Sequence, residues 1–243
     1  MKKQIMYGLL AFLVFIGNGC ITANVIKPLP TQELIIKVQN DTGAKVDVDK
    51  KAEINKTMSI PYTDPEFSGD AIRIGDMVCY SIWGGISAYE PLNFKKTLEV
   101  MKYKGIKKMK LFINSGGGSA FDGLAVSDMM EKAIKNGIEI NTEASGLIAS
   151  ASVPIFGVGQ YRMATRGTMF MVHSVKLFKL FSQEGKSDLR AQHKMMTILE
   201  DRYNSVLENH SKLSRKEWSD KCEKTTWFTS EEALEWGLVD EIL

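Results

Sequence analysis

Lys108-Met109-Lys110-Leu111-Phe112-Ile113-Asn114-Ser115-Gly116-Gly117-Gly118-Ser119 is the stretch on which the fold turns. Lys108 to Asn114 alternates polar and apolar side chains, the pattern of a half-buried strand. It runs straight into three glycines. Beyond them Val126, Met129, Met130, Ala133 and Ile134 recur at i, i+3, i+4, i+7 and i+8. That spacing puts them on one face of a helix, and Gly137 closes it. Strand, glycine turn and helix make one α/β unit.

The same alternation of elements continues on both sides. Upstream, Asp76–Ile82 reads as a buried strand, and Asn93–Tyr103 as a helix with Phe94, Leu98, Val100 and Met101 apolar. Downstream, Ile138–Ala144 and Thr168–His173 read as strands. Residues 187–210 form one long helix, with Met195, Met196, Leu199, Tyr203 and Val206 on its apolar side. Ser214-x-x-Glu217 and Thr229-x-x-Glu232 are capping-box spacings, each opening a short helix. Gly237 ends the second of these, and Leu238–Leu243 finishes as a strand. Strands alternating with helices predict an α/β domain over residues 71–243.

A domain of that size buries a full core without disulfides or metals. The chain carries 31 basic and 29 acidic residues, so nothing in its charge demands nucleic acid or an acidic partner. Its cysteines, Cys20, Cys79 and Cys222, show no metal-ligand spacing, so no structural metal is expected. Cys79 and Cys222 are read as separate thiols, with a disulfide between them the alternative in an oxidising compartment.

The N-terminus has its own grammar. Lys2 and Lys3 precede an apolar run from Ile5 to Ile16, and small or polar residues follow to Ala23. This is the layout of a secretory signal over residues 1–23, too short for a comfortable membrane span. Two processing sites compete. Gly17-Asn18-Gly19-Cys20 resembles a loose bacterial lipobox, which would place a lipid on Cys20, and ordinary cleavage after Ala23 is the other. Loss of Lys2 and Lys3 leaves basic and acidic counts equal, so membrane contact is expected only through the N-terminal segment or that lipid. The expected location is the periplasm or cell envelope. Residues 24–70, punctuated by Pro28 and Pro30, read as a tether with one short strand at Glu33–Gln39.

Three segments carry candidate chemistry. The glycines after Asn114 free backbone N–H groups beside a helix start, a place suited to an oxyanion or a peptide carbonyl. A phosphate would fit there too, but the GK[ST] ending of a nucleotide loop is missing. In Gly146-Leu147-Ile148-Ala149-Ser150-Ala151-Ser152-Val153-Pro154, a helix tolerates Pro154 only in its first turn. That helix starts no earlier than about Ala151, which leaves Ser150 at its positive end as a nucleophile or as a simple cap. Ser152 is a weaker rival inside the first turn. His173 ends a strand of large apolar residues, where it can serve as a base or be structural. His193 and His210 fall in the long helix and are expected to be solvated.

Taken in order, INSGGGS, GLIASAS, MFMVHS and the tail Trp227-Phe228-Thr229-Ser230-Glu231-Glu232-Ala233-Leu234-Glu235-Trp236-Gly237-Leu238-Val239-Asp240 resemble the Clp protease proteolytic subunit, over about Ile74 to Leu243. The resemblance implies the spiral of ββα units shared with crotonases. It implies Ser150 as nucleophile and His173 as base, with the N–H groups of Gly117 and Ala151 forming the oxyanion hole. Gly116, Gly118 and Ser119 would pair with the substrate backbone as an added strand. The implied activity is serine endopeptidase, without cofactor or metal, in a homo-oligomer acting on peptides or unfolded protein.

Two departures stand out. The family's aspartate, which orients the histidine, falls at Thr225; Asp220 and Glu223 are the nearby carboxylates that could replace it. The glycine-rich handle after the histidine is replaced by Lys176-Leu177-Phe178-Lys179-Leu180-Phe181. The first motivates a second reading, a catalytically impaired scaffold of the same fold. An acyl-CoA enzyme of crotonase type would not need the Ser150/His173 pair, and for a Ser/Lys peptidase no particular lysine stands out as base. Export separates the chain from cytosolic ATP, so ATP-independent action is expected.

Overall fold

The computed structural model describes residues 65–67, 69–177 and 184–243, and the backbone of 12–16, 19–28 and 34–39. The expectations for Lys2, Lys3, most of the tether, Phe178 and Phe181 lie outside the described residues. The chain divides into two units, Met1–Asp64 and Pro65–Leu243. In the first, β1 (Phe12–Ile16), β2 (Gly19–Pro28) and β3 (Leu34–Gln39) form an antiparallel sheet in that order. The tether strand read from the sequence is β3.

The second unit is mixed α/β. Its strands are β4 (Ala71–Ile74), β5 (Met77–Ile86), β6 (Lys108–Gly118), β7 (Glu139–Ala149), β8 (Arg162–Ala164), β9 (Met169–Val172), β10 (Thr226–Thr229) and β11 (Glu241–Ile242). Its helices are α1 (Tyr89–Tyr103), α2 (Ala120–Lys135), α3 (Ser152–Gly157), α4 (Lys186–Asn209), α5 (Arg215–Glu223) and α6 (Ser230–Glu235). β5, β6 and β7 are parallel, as the intervening helices require, while β4 and β10 close the edges antiparallel.

The alternation of polar and apolar residues over Lys108–Asn114 is matched by alternating burial along β6. Met109, Leu111 and Ile113 point into the core and are essentially inaccessible. They pack with Val78, Tyr80 and Ile82 of β5 and Ile140 and Ala144 of β7. Val126, Met130 and Ala133 of α2 are buried, as are Phe94 and Met101 of α1. Each such large side chain contributes about 1.5–3 kcal/mol on leaving water. A run of aromatic rings, Phe156, Phe170, Phe228 and Trp236, links α3, β9, β10 and the end of α6, with centroids 4.6–5.6 Å apart between neighbours.

β7 serves two branches of the sheet. Its first half, Thr142 to Ala144, pairs with β8, and its second half, Leu147 to Ala149, pairs with β9. The break falls at Gly146, whose φ of 86° suits glycine. The Asn114 side chain fills the gap beside it, accepting a 3.1 Å hydrogen bond from Leu147 N. The second branch carries the strand ends on which Ser150 and His173 sit.

Both capping boxes are present, at Ser214/Glu217 for α5 and Thr229/Glu232 for α6. The C-terminal strand is shorter than expected, because Leu238 and Val239 turn into the core before β11 pairs in parallel with β8. His210 departs from the solvated expectation: it is the C-cap of α4, half-buried, with Nε2 3.3 Å from Glu131 Oε1. Cys79 and Cys222 are separate, buried thiols.

Candidate active site

Ser150 follows β7 directly and precedes α3, whose N-cap is Ala151. Pro154 falls in the first turn of that helix, where its missing N–H costs nothing. Ser150 is therefore not the cap. Its backbone has φ 55°, a left-handed conformation that a non-glycine residue adopts only when its surroundings enforce it. Three hydrogen bonds do so. Ser150 N donates to Met171 O at 2.8 Å, and Ser150 O accepts from Val153 N at 3.0 Å and from the Tyr203 hydroxyl at 3.0 Å. Among the described residues the Ala151 N–H has no hydrogen-bond partner.

Ser152, the rival nucleophile, is buried and engaged. Its Oγ accepts from Ala149 N at 2.9 Å and reaches Ser115 O at 3.0 Å and Ala149 O at 2.8 Å. It holds the strand-to-helix turn and has no access to a substrate.

Ser150, Ala151 and His173 line one cavity of about 410 Å³, together with Gly116, Gly118 and Ser119. Gly117 is the exception. It is buried behind Ser150, and its N–H donates to Ser115 Oγ at 3.1 Å. A Cβ at this glycine would lie 2.6 Å from Ser150 Cβ and 2.6 Å from Ala149 O. The N–H expected from Gly117 in an oxyanion hole is thus turned to Ser115 Oγ, and its neighbour Gly118 is the glycine on the cavity wall. Close approach of backbone to the Ser150 side chain is what Gly117 provides.

His173 follows β9 and is half-buried. Its Nδ1 lies 2.6 Å from the carbonyl oxygen of Ser174. A carbonyl can only accept, so this contact places the ring hydrogen on Nδ1 and leaves Nε2 with a free lone pair. That is the tautomer a general base needs. No hydrogen bond joins Ser150 Oγ to the ring among the described residues.

Thr225 immediately precedes β10, whose Thr226 pairs with Val172, so the antiparallel register carries Thr225 to the level of His173. Its backbone has φ 52° and its side chain is exposed. The Cys222 carbonyl accepts from both Ser174 N (3.0 Å) and Thr225 N (3.1 Å), tying this turn to the end of the histidine strand. Asp220 is engaged elsewhere, with Lys216 Nζ 3.0 Å from its Oδ2. Glu223 lines a small polar cavity of about 80 Å³ with His173, Ser174 and Val175.

Sequence reading missed two residues that reach this site from α4. Tyr203 lines both cavities, and Glu200 lines the smaller one and accepts from Val175 N at 3.0 Å. The signal was present: Glu200 stands three and four residues before the buried Tyr203 and Asn204, a carboxylate at the margin of an apolar stripe.

Among curated proteins, the chain is 29% identical over 140 residues to ATP-dependent Clp protease proteolytic subunit 1 of Prochlorococcus marinus strain MIT 9312, covering 56% of this chain and 68% of the relative. It is 24% identical over 211 residues to the ATP-dependent Clp protease proteolytic subunit of Cyanophora paradoxa, covering 86% of this chain and 96% of the relative. The Clp protease family model matches residues 93–243, which span every element from the middle of α1 through the Ser150 turn and the His173 strand to β11. With that match over more than half its length, the chain belongs to the Clp protease family.

Proposed function

We propose that the protein is a serine endopeptidase that cleaves peptides or unfolded segments through an acyl-enzyme on Ser150. The observation that carries this is the enforced left-handed conformation of Ser150, whose backbone is held by three hydrogen bonds at the wall of a cavity it shares with His173. Strain of this kind persists only where the surroundings over-determine it, and a merely structural serine has no need of it.

In the proposed reaction Ser150 Oγ attacks the scissile carbonyl carbon while its proton passes to His173 Nε2. The carbonyl π electrons move to oxygen, and the N–H groups of Ala151 and Gly118 stabilise the resulting oxyanion. The tetrahedral intermediate collapses, the C–N bond breaks, and His173 returns the proton to the leaving amine. Water then adds to the acyl-enzyme by the same route and frees the acid product. The glycine segment Gly116–Ser119 offers a strand edge for the substrate backbone.

Further parts of this reading are proposals of the same rank. The enzyme acts without ATP in the periplasm or cell envelope, on the strength of the secretory pattern of residues 1–23 and with a lipid on Cys20 as one form of anchoring. It works as a homo-oligomer, which the exposed Trp83, Tyr89 and Trp227 support as surfaces available for burial. A second reading, an impaired scaffold of the same fold, draws on the uncharged, exposed Thr225 at the aspartate position.

A fluorophosphonate probe separates the two. Covalent labelling of the wild type that disappears in Ser150→Ala establishes the nucleophile. A wild type that stays unlabelled across pH 6–9, while folded by circular dichroism, establishes the scaffold.

A further inference from the structure

We infer that Glu200 supplies the charge that Thr225 lacks, acting on His173 through one intervening peptide group. The inference rests on the Ser150/His173 reading given above.

The geometry is a chain of three links. His173 Nδ1–H donates to Ser174 O at 2.6 Å. That oxygen belongs to the Ser174–Val175 peptide, whose N–H is Val175 N. The same N–H donates to Glu200 Oε1 at 3.0 Å. One planar amide thus has a carboxylate on its hydrogen and an imidazole on its oxygen. A peptide group is a resonance system. A carboxylate on the N–H raises electron density on the carbonyl, and hydrogen bonds in such chains strengthen one another. The Ser174 oxygen becomes a better acceptor, most of all when the ring turns cationic. Glu200 is a positioning residue in this scheme: it holds the peptide, and the peptide holds the ring in the tautomer with a free Nε2.

The other groups around His173 do not supply this charge. From α5, Cys222 has its thiol pushed up to about 12 by burial and the nearby Glu200, so it is neutral. From α4, burial raises the Tyr203 phenol well above its ordinary value, again leaving it neutral. Asn204 and Ser219 are uncharged. Lys176, after β9, is exposed and cationic, the wrong sign for stabilising an imidazolium. Glu223 has the right sign but is exposed, and no hydrogen bond ties it to the histidine strand among the described residues. Glu200 is the half-buried carboxylate with a fixed partner there.

Glu200→Gln tests this, because the amide oxygen still accepts from Val175 N–H while the charge is gone. His173 is titrated by ¹H–¹⁵N NMR of the imidazole in the full-length wild type, Glu200→Gln and Glu223→Gln, with His193 and His210 as internal references. The labelling rate is followed over the same pH range. In Glu200→Gln the His173 midpoint should fall by about 0.5–1 unit, with the reference histidines unmoved and labelling at neutral pH about 3- to 10-fold slower. An unchanged midpoint in Glu200→Gln, or the same fall produced by Glu223→Gln instead, overturns the inference. Because the NMR readout needs no turnover, a wild type that resists labelling but shows the Glu200-dependent shift would refute the peptidase reading and leave the electrostatic link standing.

Discussion

The hydroxyl of Tyr203 donates a 3.0 Å hydrogen bond to the carbonyl oxygen of Ser150, from a helix fifty-three residues further along the chain. Helix α4 therefore reaches the backbone of Ser150 as well as the histidine strand, through two side chains one helical turn apart. Tyr203→Phe keeps the packing of the ring and removes that bond. A stability loss of about 1 kcal/mol is expected, together with a fall in kcat of about 3- to 10-fold at little changed KM. Chemical denaturation and steady-state peptide hydrolysis measure the two. A stability loss with kcat intact would mean that the remaining two bonds hold Ser150 unaided.

The two serines of the Ser150 turn should respond in opposite ways. On the proposed reading, Ser150→Ala removes the attacking oxygen, so labelling should be lost while stability changes little. Ser152→Ala strips a buried hydroxyl from partners at Ala149 and Ser115, leaving them unsatisfied. A cost of about 1–3 kcal/mol is expected, with labelling retained by the fraction that stays folded. Thermal melts beside probe labelling make the comparison.

Adjacent glycines divide just as sharply. A Cβ at Gly116 meets only Leu147 Cδ2, at 3.8 Å, in an exposed position, so Gly116→Ala should fold normally. At Gly117 the φ is 90° and the added carbon would collide with Ser150 Cβ and Ala149 O. Gly117→Ala should cost about 1–3 kcal/mol from overpacking, plus the strain of φ, and displace Ser150. Soluble yield, melting temperature and labelling together register it.

Asp240 makes the acid limb of stability testable. Burial favours its neutral form, but the paired hydrogen bonds from Arg162 Nε and Nη2 at 2.8 and 2.7 Å outweigh it and hold its carboxyl below the usual range. A carboxylate with a depressed native value stabilises the fold fully above its unfolded value, near pH 4, and loses that contribution as pH falls through the native one. Asp240→Asn should therefore lower the melting temperature at pH 6–7, and the gap to wild type should close as pH drops toward 3. A gap constant with pH would assign the loss to packing alone.

What the sequence made legible is what short-range rules govern. The alternation in β6, the 3.6-residue stripe of α2, the capping boxes and the Pro154 limit on the start of α3 all depend on neighbours a few residues apart, and all are present. The branch in β7 was not legible, since it depends on which strands arrive on either side of Gly146. Nor was the engaged N–H of Gly117, which donates to the serine hydroxyl two residues before it. Glu200 and Tyr203 lay hidden for a third reason. Periodicity places them on the inner side of α4, but only the packing of that helix brings them to residues 175 and 150.

Thr225 offers the most direct separation of strain from charge. A β-branched residue at φ 52° is unfavourable, by about 1–2 kcal/mol, whereas Asn and Asp visit this region more readily. Thr225→Asn should therefore stabilise the protein by up to about 1 kcal/mol through the backbone alone. Thr225→Asp should gain a similar amount and in addition set a carboxylate at the level of His173, given the pairing of Thr226 with Val172. Its labelling rate should exceed that of Thr225→Asn by about tenfold or more, since a triad carboxylate contributes up to about 10⁴ in kcat. Equal rates in the two variants, with both folded, would show that a side chain at this turn does not reach the imidazole, and that the histidine depends wholly on the peptide beneath it.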